Sequence, residues 1–172
     1  MEKINKPTTD IPSFYQHYMD LVPNDGNLIQ HLCDILIETE TIINPLTEEK
    51  LLYRYAKGKW TIKDLMLHLA DCERVIIYRA MRIARGDKTN LPGFDEAAFV
   101  TAANASSRPI NDIMEEQKAY RAASILFIKS LSEEELNNTG TANGYPLSAR
   151  LLVNHLYGHH KHHLDIIKER YL

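Results

Sequence analysis

The sequence is short of the features that mark several large classes of protein. Its 172 residues include only two cysteines, no run of 18 uninterrupted apolar residues, and no apolar segment behind the charged first residues. Two cysteines without an export signal predict reduced thiols rather than a disulfide framework. The missing apolar runs argue against a signal peptide and a membrane-spanning helix. The sequence therefore predicts a cytoplasmic protein without a membrane partner.

Excess positive charge is also lacking. Twenty Lys and Arg residues stand against 23 Asp and Glu, a formal net charge of -3, so no basic field is available to hold a phosphate backbone. We therefore expect no nucleic-acid partner. The sequence also has no glycine-rich phosphate loop, nucleophile elbow, Cys-x-x-Cys pair or dinucleotide fingerprint. No motif therefore points to nucleotide-dependent or thiol-disulfide chemistry.

Four long amphipathic patterns are present. They predict helices over residues 27–44, 61–86, 110–131 and 148–170, and the intervening segment 137–146 is predicted to be loop, with no credible sheet. Thr61 and Asp64 have the spacing of a capping box at the start of the second helix, and Ser148 can cap the last. A chain of one-domain size with four such helices predicts an all-α four-helix bundle.

The connection between the second and third long helices is unusually long. About 22 residues separate them, with a short helix predicted at 95–103, which is too long for an ordinary turn. A connection of this length can return along a helix of about 37 Å, so that the two middle helices run parallel in an up-down-down-up bundle. Residues 1–24, rich in proline and aromatics, are predicted to be an arm packed on the bundle domain of 25–172 and to lie outside the catalytic part.

Five of the eight histidines lie between residues 155 and 163. His159 and His163 are one helical turn apart on the apolar face, the spacing with which two histidines of one helix bind a metal ion. His155, His160 and His162 are predicted at exposed or rim positions. The run resembles the zincin motif in outline, but position 160 is His where the general base Glu is required, which disfavours a metalloprotease.

The second long helix offers a third imidazole. His68 lies at the edge of its apolar stripe, and with His159 and His163 it would complete a three-histidine site with an open position. A single half-buried histidine is more often an ordinary core residue. Asp71 and Cys72, one turn further on, are alternatives for an extra ligand. For Asp71, the more plausible interpretation is that it orients an imidazole or is simply solvated.

Several segments together resemble the DinB-like superfamily, most closely its YfiT-type members. The resemblance covers roughly residues 20–172, and its motifs occur in the order found in the family. They are GKWTIKD at 58–64, HLADCER at 68–74, YRA at 78–80, ARGD at 84–87, LPGFDE at 91–96, GTANG at 140–144 and GHHKHHL at 158–164.

The resemblance implies a four-helix bundle with parallel middle helices and a divalent metal held by His68, His159 and His163, with water completing the shell. The chain departs from the common pattern at His160, where relatives often carry Glu, and at Cys72, where Thr is frequent. Residues that could line the pocket are Trp60, Phe94, Asn143 and Tyr145.

The function implied is metal-dependent activation of a nucleophile. The leading hypothesis is a transferase that conjugates a low-molecular-weight thiol to a small electrophile. Alternatives are a metal-dependent hydrolase and a non-catalytic, metal-binding stress-response bundle, often a homodimer through exposed helix faces. Three imidazoles and water suit Zn, Ni, Fe, Mn or Co, so the sequence leaves the metal undetermined.

Overall fold

The computed structural model describes residues 3–172, most of which are helical. Four long helices confirm the predicted four-helix bundle, and none of the helices in this range is both long and apolar enough to cross a membrane. The helices are α1 (Ser13–Asp20), α2 (Leu28–Ile43), α3 (Glu48–Leu51), α4 (Ile62–Ala84), α5 (Glu96–Ala103), α6 (Ile110–Ser130), α7 (Glu133–Asn137) and α8 (Ala149–Ile166), with a 3-10 turn at Ala105–Ser107 and a π turn at Ile167–Tyr171.

The middle helices α4 and α6 run parallel. At the beginning of both helices Lys63 Nζ donates to the Arg108 carbonyl at 2.8 Å. Beyond the end of both, Asn138 Nδ2 donates to the Ala84 carbonyl at 2.7 Å. The long connection between α4 and α6, which contains α5, therefore returns along the bundle as its length predicts.

The outer helices α2 and α8 run in the opposite direction to the middle pair. His31 near the beginning of α2 packs against Tyr157 in the middle of α8, and Thr39 bonds to His160 further along both helices. The π turn that follows α8 bonds to the segment before α4, so α8 is antiparallel to α4. These contacts confirm the up-down-down-up order.

The prediction that residues 137–146 form only loop is wrong. They belong to a two-stranded antiparallel hairpin of β1 (Thr139–Ala142) and β2 (Tyr145–Ser148). Asn143 and Gly144 form its turn with φ of 52° and 79°, which is the left-handed conformation that a type I′ turn requires and that Asn-Gly favours. Leu91 joins the hairpin through backbone bonds to Thr141 and Asn143, so the strands hold the crossover against the bundle.

The segment before α2 is bonded within itself and packs on α8. The Ile4 amide donates to the Gly26 carbonyl at 2.9 Å, and Lys6 Nζ donates to two backbone carbonyls at the end of α1. α1 packs on α8 at Gly158, where a Cβ would lie 2.2 Å from the Tyr18 carbonyl oxygen. Only glycine permits this close approach.

A buried ion pair links the four long helices. Arg121 of α6 makes two parallel bonds to the Glu73 carboxylate of α4, at 2.9 and 2.8 Å, and both side chains are 3% exposed. The same guanidinium donates to the Leu32 carbonyl of α2 at 2.8 Å and lies 3.2 Å from His160 Nδ1 of α8. His160 Nε2 lies 2.8 Å from the Thr39 hydroxyl of α2.

These bonds fix the tautomer and the protonation state of His160. The Thr39 hydroxyl donates its one proton to the Ile35 carbonyl, so it accepts from His160 Nε2, while Arg121 can only donate to Nδ1. Burial, and then the charge of Arg121, holds the pKa of His160 well below its usual value. The prediction of a rim position for His160 is therefore wrong, because its side chain is fully buried and both ring nitrogens are engaged.

We expect Glu73→Ala to lower the free energy of unfolding by about 3–5 kcal/mol, because it leaves the Arg121 charge buried without its partner. Glu38→Ala, which removes the surface partner of Lys168, should cost about 1 kcal/mol or less. Urea unfolding followed by circular dichroism measures both. An equal loss of unfolding free energy in the two variants would contradict a major contribution of the buried ion pair to stability.

Candidate metal centre

The antiparallel packing of α4 and α8 brings three histidines together. His68 Nε2 of α4 lies 3.2 Å from His159 Nε2 of α8, and His163 Nε2, one turn along α8, lies 3.1 Å from the same atom. Cys72 follows His68 by one turn of α4, and its Sγ lies 3.5 and 3.6 Å from the two ring nitrogens of His68. All four side chains are buried.

The histidine cluster has no satisfactory hydrogen-bonding solution of its own. Each imidazole nitrogen carries either one proton or one lone pair, so His159 Nε2 can pair fully with only one of its two neighbours. A cation between the rings would instead accept one lone pair from each. The donor set therefore fits a divalent metal ion such as zinc.

The electrostatics of the cluster also suit a metal. Burial lowers the pKa of His68 to about 4, and burial followed by the neighbouring histidines holds the pKa values of His159 and His163 well below the usual range. All three rings are thus neutral at pH 7, the form in which imidazole binds a metal. Burial raises the pKa of the Cys72 thiol, a shift that a nearby cation reverses.

One set of possible metal ligands can be recognised within residues 3–172. His68, Cys72 and His159 form a cluster in which every pair of ligand atoms lies within 4.8 Å. His163 joins the cluster through its close contact with His159. The structure thus brings together the three histidines that the sequence analysis selected and adds the thiol of Cys72 to them.

Asp71 is not part of this centre. Its Oδ1 accepts a bond from Arg74 Nη1 at 2.9 Å, and Arg74 in turn bonds to Glu116 of α6. No bond joins Asp71 to any of the three histidines in the described chain. The expectation that Asp71 orients an imidazole is therefore wrong, because an arginine on its own helix takes its carboxylate.

The other predicted pocket residues lie on different sides of the cluster. Trp60 packs against the His68 ring with centroids 4.7 Å apart. Phe94 and Asn143 line a cavity on the opposite side. Tyr145 lies behind the wall of that cavity, where it packs on Phe14 and Tyr15.

The cavity next to His159 and Cys72 has a volume of about 40 Å³, enough for one or two water molecules. Three aromatic residues of the N-terminal arm form one of its walls: Phe14, Tyr15 and Tyr18. The sequence predicts instead that this arm lies outside the catalytic part. The aromatic residues of the arm are a sequence signal for packing on the domain. Their contact partners lie on α8, however, so neighbouring residues in the sequence do not reveal this contact.

The cavity also contains a buried cation. Arg79 of α4 is 6% exposed, and its Nη2 donates to the Pro92 carbonyl at 2.7 Å. It makes no salt bridge in the part of the chain that the structure describes. Glu96 lines the same cavity, and burial raises its pKa while Arg79 opposes that shift. Arg79 is thus available to an anionic group of a ligand.

A second opening reaches the cluster from the other side. A groove of about 250 Å³ ends at His163 and is lined by Tyr55, Trp60 and Tyr171, with Lys59 at its edge. His159 therefore faces a small polar cavity below the arm, and His163 faces a larger aromatic groove.

The remaining histidines of α8 have other partners. His155 is buried between the rings of Tyr15 and Tyr18, with centroids 5.0 and 4.7 Å away, so its predicted rim position is wrong. His162 is half-buried and bonds to His17 of α1 at 2.9 Å. Both therefore connect α8 to the arm.

Comparison with known proteins shows the family. A profile of the DinB superfamily matches residues 37–167, about three quarters of the chain. The chain belongs to the DinB superfamily. It is 26% identical over 129 residues to a candidate metal-dependent hydrolase of Oceanobacillus iheyensis, covering 73% of each chain, and 26% identical over 131 residues to another from Geobacillus kaustophilus, covering 73% of this chain and 72% of the relative.

Two solved structures share the fold of this DinB-superfamily protein. YfiT from Bacillus subtilis, described as a candidate metal-dependent hydrolase with an unusual four-helix bundle topology, superposes with a TM-score of 0.76 at 16% identity, over 95% of this chain and 90% of YfiT. A mycothiol-dependent maleylpyruvate isomerase gives a TM-score of 0.59 at 16% identity, over 91% of this chain and 61% of the isomerase.

The buried neutral histidines predict an acid-sensitive metal-free protein. Burial lowers the pKa of His155 to about 3, so below pH about 6.5 the unfolded chain binds a proton that the folded chain refuses. The free energy of unfolding should fall as pH decreases from 6.5 towards 4. The slope reflects how many more protons the unfolded chain binds than the folded chain, and His155→Leu should reduce that difference by up to about one proton. Urea unfolding across this pH range measures the slope. An unchanged slope would contradict the buried neutral state of His155.

Proposed function

We propose that this protein is an enzyme that binds one divalent metal ion through His68, His159 and His163 and activates a low-molecular-weight thiol for transfer to a small electrophile. The observation that supports it is a buried set of three neutral imidazoles, open to a cavity, with no carboxylate bonded to them within residues 3–172. A divalent ion in this position would lower the pKa of a coordinated thiol or water.

Within residues 3–172 no carboxylate is bonded to the three histidines, which favours a thiol over water as nucleophile. A free thiol has a pKa of about 8.5 and needs to lose only about two units to be ionised at neutral pH, whereas water starts near 15.7. Helical zinc hydrolases of the zincin type add a Glu as general base. In this chain the corresponding position is His160, which is bonded to Arg121 and Thr39, and Glu73 is held by Arg121.

Arg79 supports a thiol that carries a carboxylate. Its buried guanidinium lines the cavity without a salt-bridge partner among the described residues, and charge-assisted bonds from arginine to carboxylate are among the stronger polar contacts. The thiol-dependent chemistry of the isomerase with the same fold is consistent with this assignment. The cavity is small, so a thiol larger than a few atoms requires movement of the arm.

Hydrolysis is the second candidate. The relatives and YfiT are described as candidate metal-dependent hydrolases, and Glu96 offers one carboxylate at the cavity, where burial raises its pKa towards the range of a general acid or base. Metal-dependent turnover of esters or amides in the absence of any thiol would favour this function instead.

The first test combines metal content with turnover. We expect about one equivalent of metal in the protein, and His163→Ala should lose that metal and reduce thiol transfer to a model electrophile by roughly a hundredfold or more. His31→Ala is the matched control, since His31 bonds to Asp25 at the surface. Elemental analysis and a spectroscopic conjugation assay measure both quantities. Transfer that survives complete removal of metal would contradict the proposal, and metal binding without turnover of either substrate class would favour a non-catalytic role.

The second test concerns Arg79. Arg79→Met should raise KM for a thiol that carries carboxylates, such as mercaptosuccinate, by roughly 10- to 100-fold, because a charged hydrogen bond contributes about 1.5–3 kcal/mol. KM for the neutral thiol 2-mercaptoethanol should change little. Steady-state kinetics with both thiols measure the difference. An equal effect on the two would show that Arg79 supports the cavity wall instead of binding the anion.

A further inference from the structure

We infer that Cys72 is a fourth ligand of the metal site, beside His68, His159 and His163. The inference rests on the metal site proposed above. It turns the site from three nitrogen donors into a set of three nitrogens and one sulfur.

The placement of Cys72 is that of a ligand. It follows His68 by four residues and so lies on the same face of α4. The side chain is 4% exposed, and the only polar atoms within bonding distance of its Sγ in residues 3–172 are the two ring nitrogens of His68. Its ligand atom lies within 4.8 Å of those of both His68 and His159. The thiol thus faces the centre of the cluster.

The separations between the histidine nitrogens match a tetrahedral site. With zinc-nitrogen bonds of about 2.0–2.1 Å and zinc-sulfur bonds of about 2.3 Å, tetrahedral geometry places two nitrogens about 3.3 Å apart and a nitrogen and a sulfur about 3.6 Å apart. The structure has nitrogen pairs at 3.2 and 3.1 Å and the Cys72 Sγ at 3.6 Å from His68 Nε2. The two nitrogen separations therefore have the required lengths, while Cys72 Sγ, at 3.5 and 3.6 Å from the two ring nitrogens of His68, has to turn towards Nε2 when a metal binds.

The other candidate for an extra ligand does not compete. Asp71 is engaged by Arg74 on a different side of α4. A buried thiol among imidazoles gains little as a hydrogen-bonding group, since sulfur is a weak donor and a weak acceptor. As a thiolate it contributes a negative charge that partly neutralises a divalent ion, which the three neutral histidines cannot do.

A sulfur donor has consequences for the metal. Thiolate ligands favour zinc or cobalt over manganese and magnesium, which prefer oxygen. Four protein ligands also fill a tetrahedral site, so that a substrate has to displace one of them or add as a fifth ligand. This difference separates the site from a three-histidine centre with a permanently open position.

Cobalt substitution tests the inference on the full-length protein. We expect the wild-type protein with about one equivalent of Co²⁺ to show the intense near-ultraviolet absorption of a cobalt-thiolate bond. Cys72→Ser should abolish that band while the three histidines retain cobalt, and Cys33→Ser, at the other free cysteine on α2, should leave it intact. A band that persists in Cys72→Ser, or is absent from the cobalt-loaded wild type, would overturn the inference.

X-ray absorption of the zinc-loaded wild-type protein provides a measurement that needs no variant. The expected shell contains one sulfur at about 2.3 Å and nitrogens at about 2.0 Å. A shell of nitrogen and oxygen alone would refute ligation by Cys72 and leave the three-histidine site standing. A protein that takes up neither zinc nor cobalt would refute the proposed function as well.

Discussion

The buried guanidinium of Arg121 is the interaction on which the alignment of the bundle depends. From α6 it binds the Glu73 carboxylate of α4, the Leu32 carbonyl of α2 and the His160 ring of α8. Apolar packing alone would tolerate small rotations and shifts of one helix against another. A charged pair removed from water tolerates none, because loss of a single partner leaves an uncompensated charge in the interior.

The histidine cluster requires this alignment. Glu73 directly follows Cys72 on α4, and His160 directly follows His159 on α8. Neighbouring residues of a helix point about 100° apart, so each helix presents one side chain to Arg121 and the adjacent one to the histidine cluster. The network that fixes the rotation of α4 and α8 thereby fixes the approach of the ligands to one another.

The charges around the site are balanced in a corresponding way. Arg121 lies close to the buried histidines, but Glu73 neutralises it, so it adds little repulsion against a cation a few ångströms away. Burial keeps the histidines neutral, and Cys72 is the one donor in the cluster that can supply negative charge. At the cavity, the negative charge of Glu96 only partly offsets the positive charge of Arg79. Arg79 therefore remains available to the anionic part of a ligand.

Helix periodicity, the Thr61 capping box and the length of the crossover predict the bundle and its order, because these features depend on neighbouring residues. The separation of four residues likewise predicts that His159 and His163 share a face. The sequence does not predict the contact that buries His160, because its partner Arg121 lies 39 positions earlier in the chain and no local pattern connects the two residues. The hairpin at Asn143 and Gly144 was missed despite a clear turn signal, because its strands have only four residues each.

The N-terminal arm gives the site a property that neither α4 nor α8 provides alone. The missing Cβ at Gly158 lets the Tyr18 backbone lie directly on α8, and the arm then covers the cavity beside His159. Exclusion of bulk water lowers the local dielectric constant and strengthens every electrostatic interaction inside. The cavity below the arm measures about 40 Å³, whereas the groove at Trp60 measures about 250 Å³. A group that reaches His159 from the cavity and one that reaches His163 from the groove would therefore occupy different spaces beside the cluster.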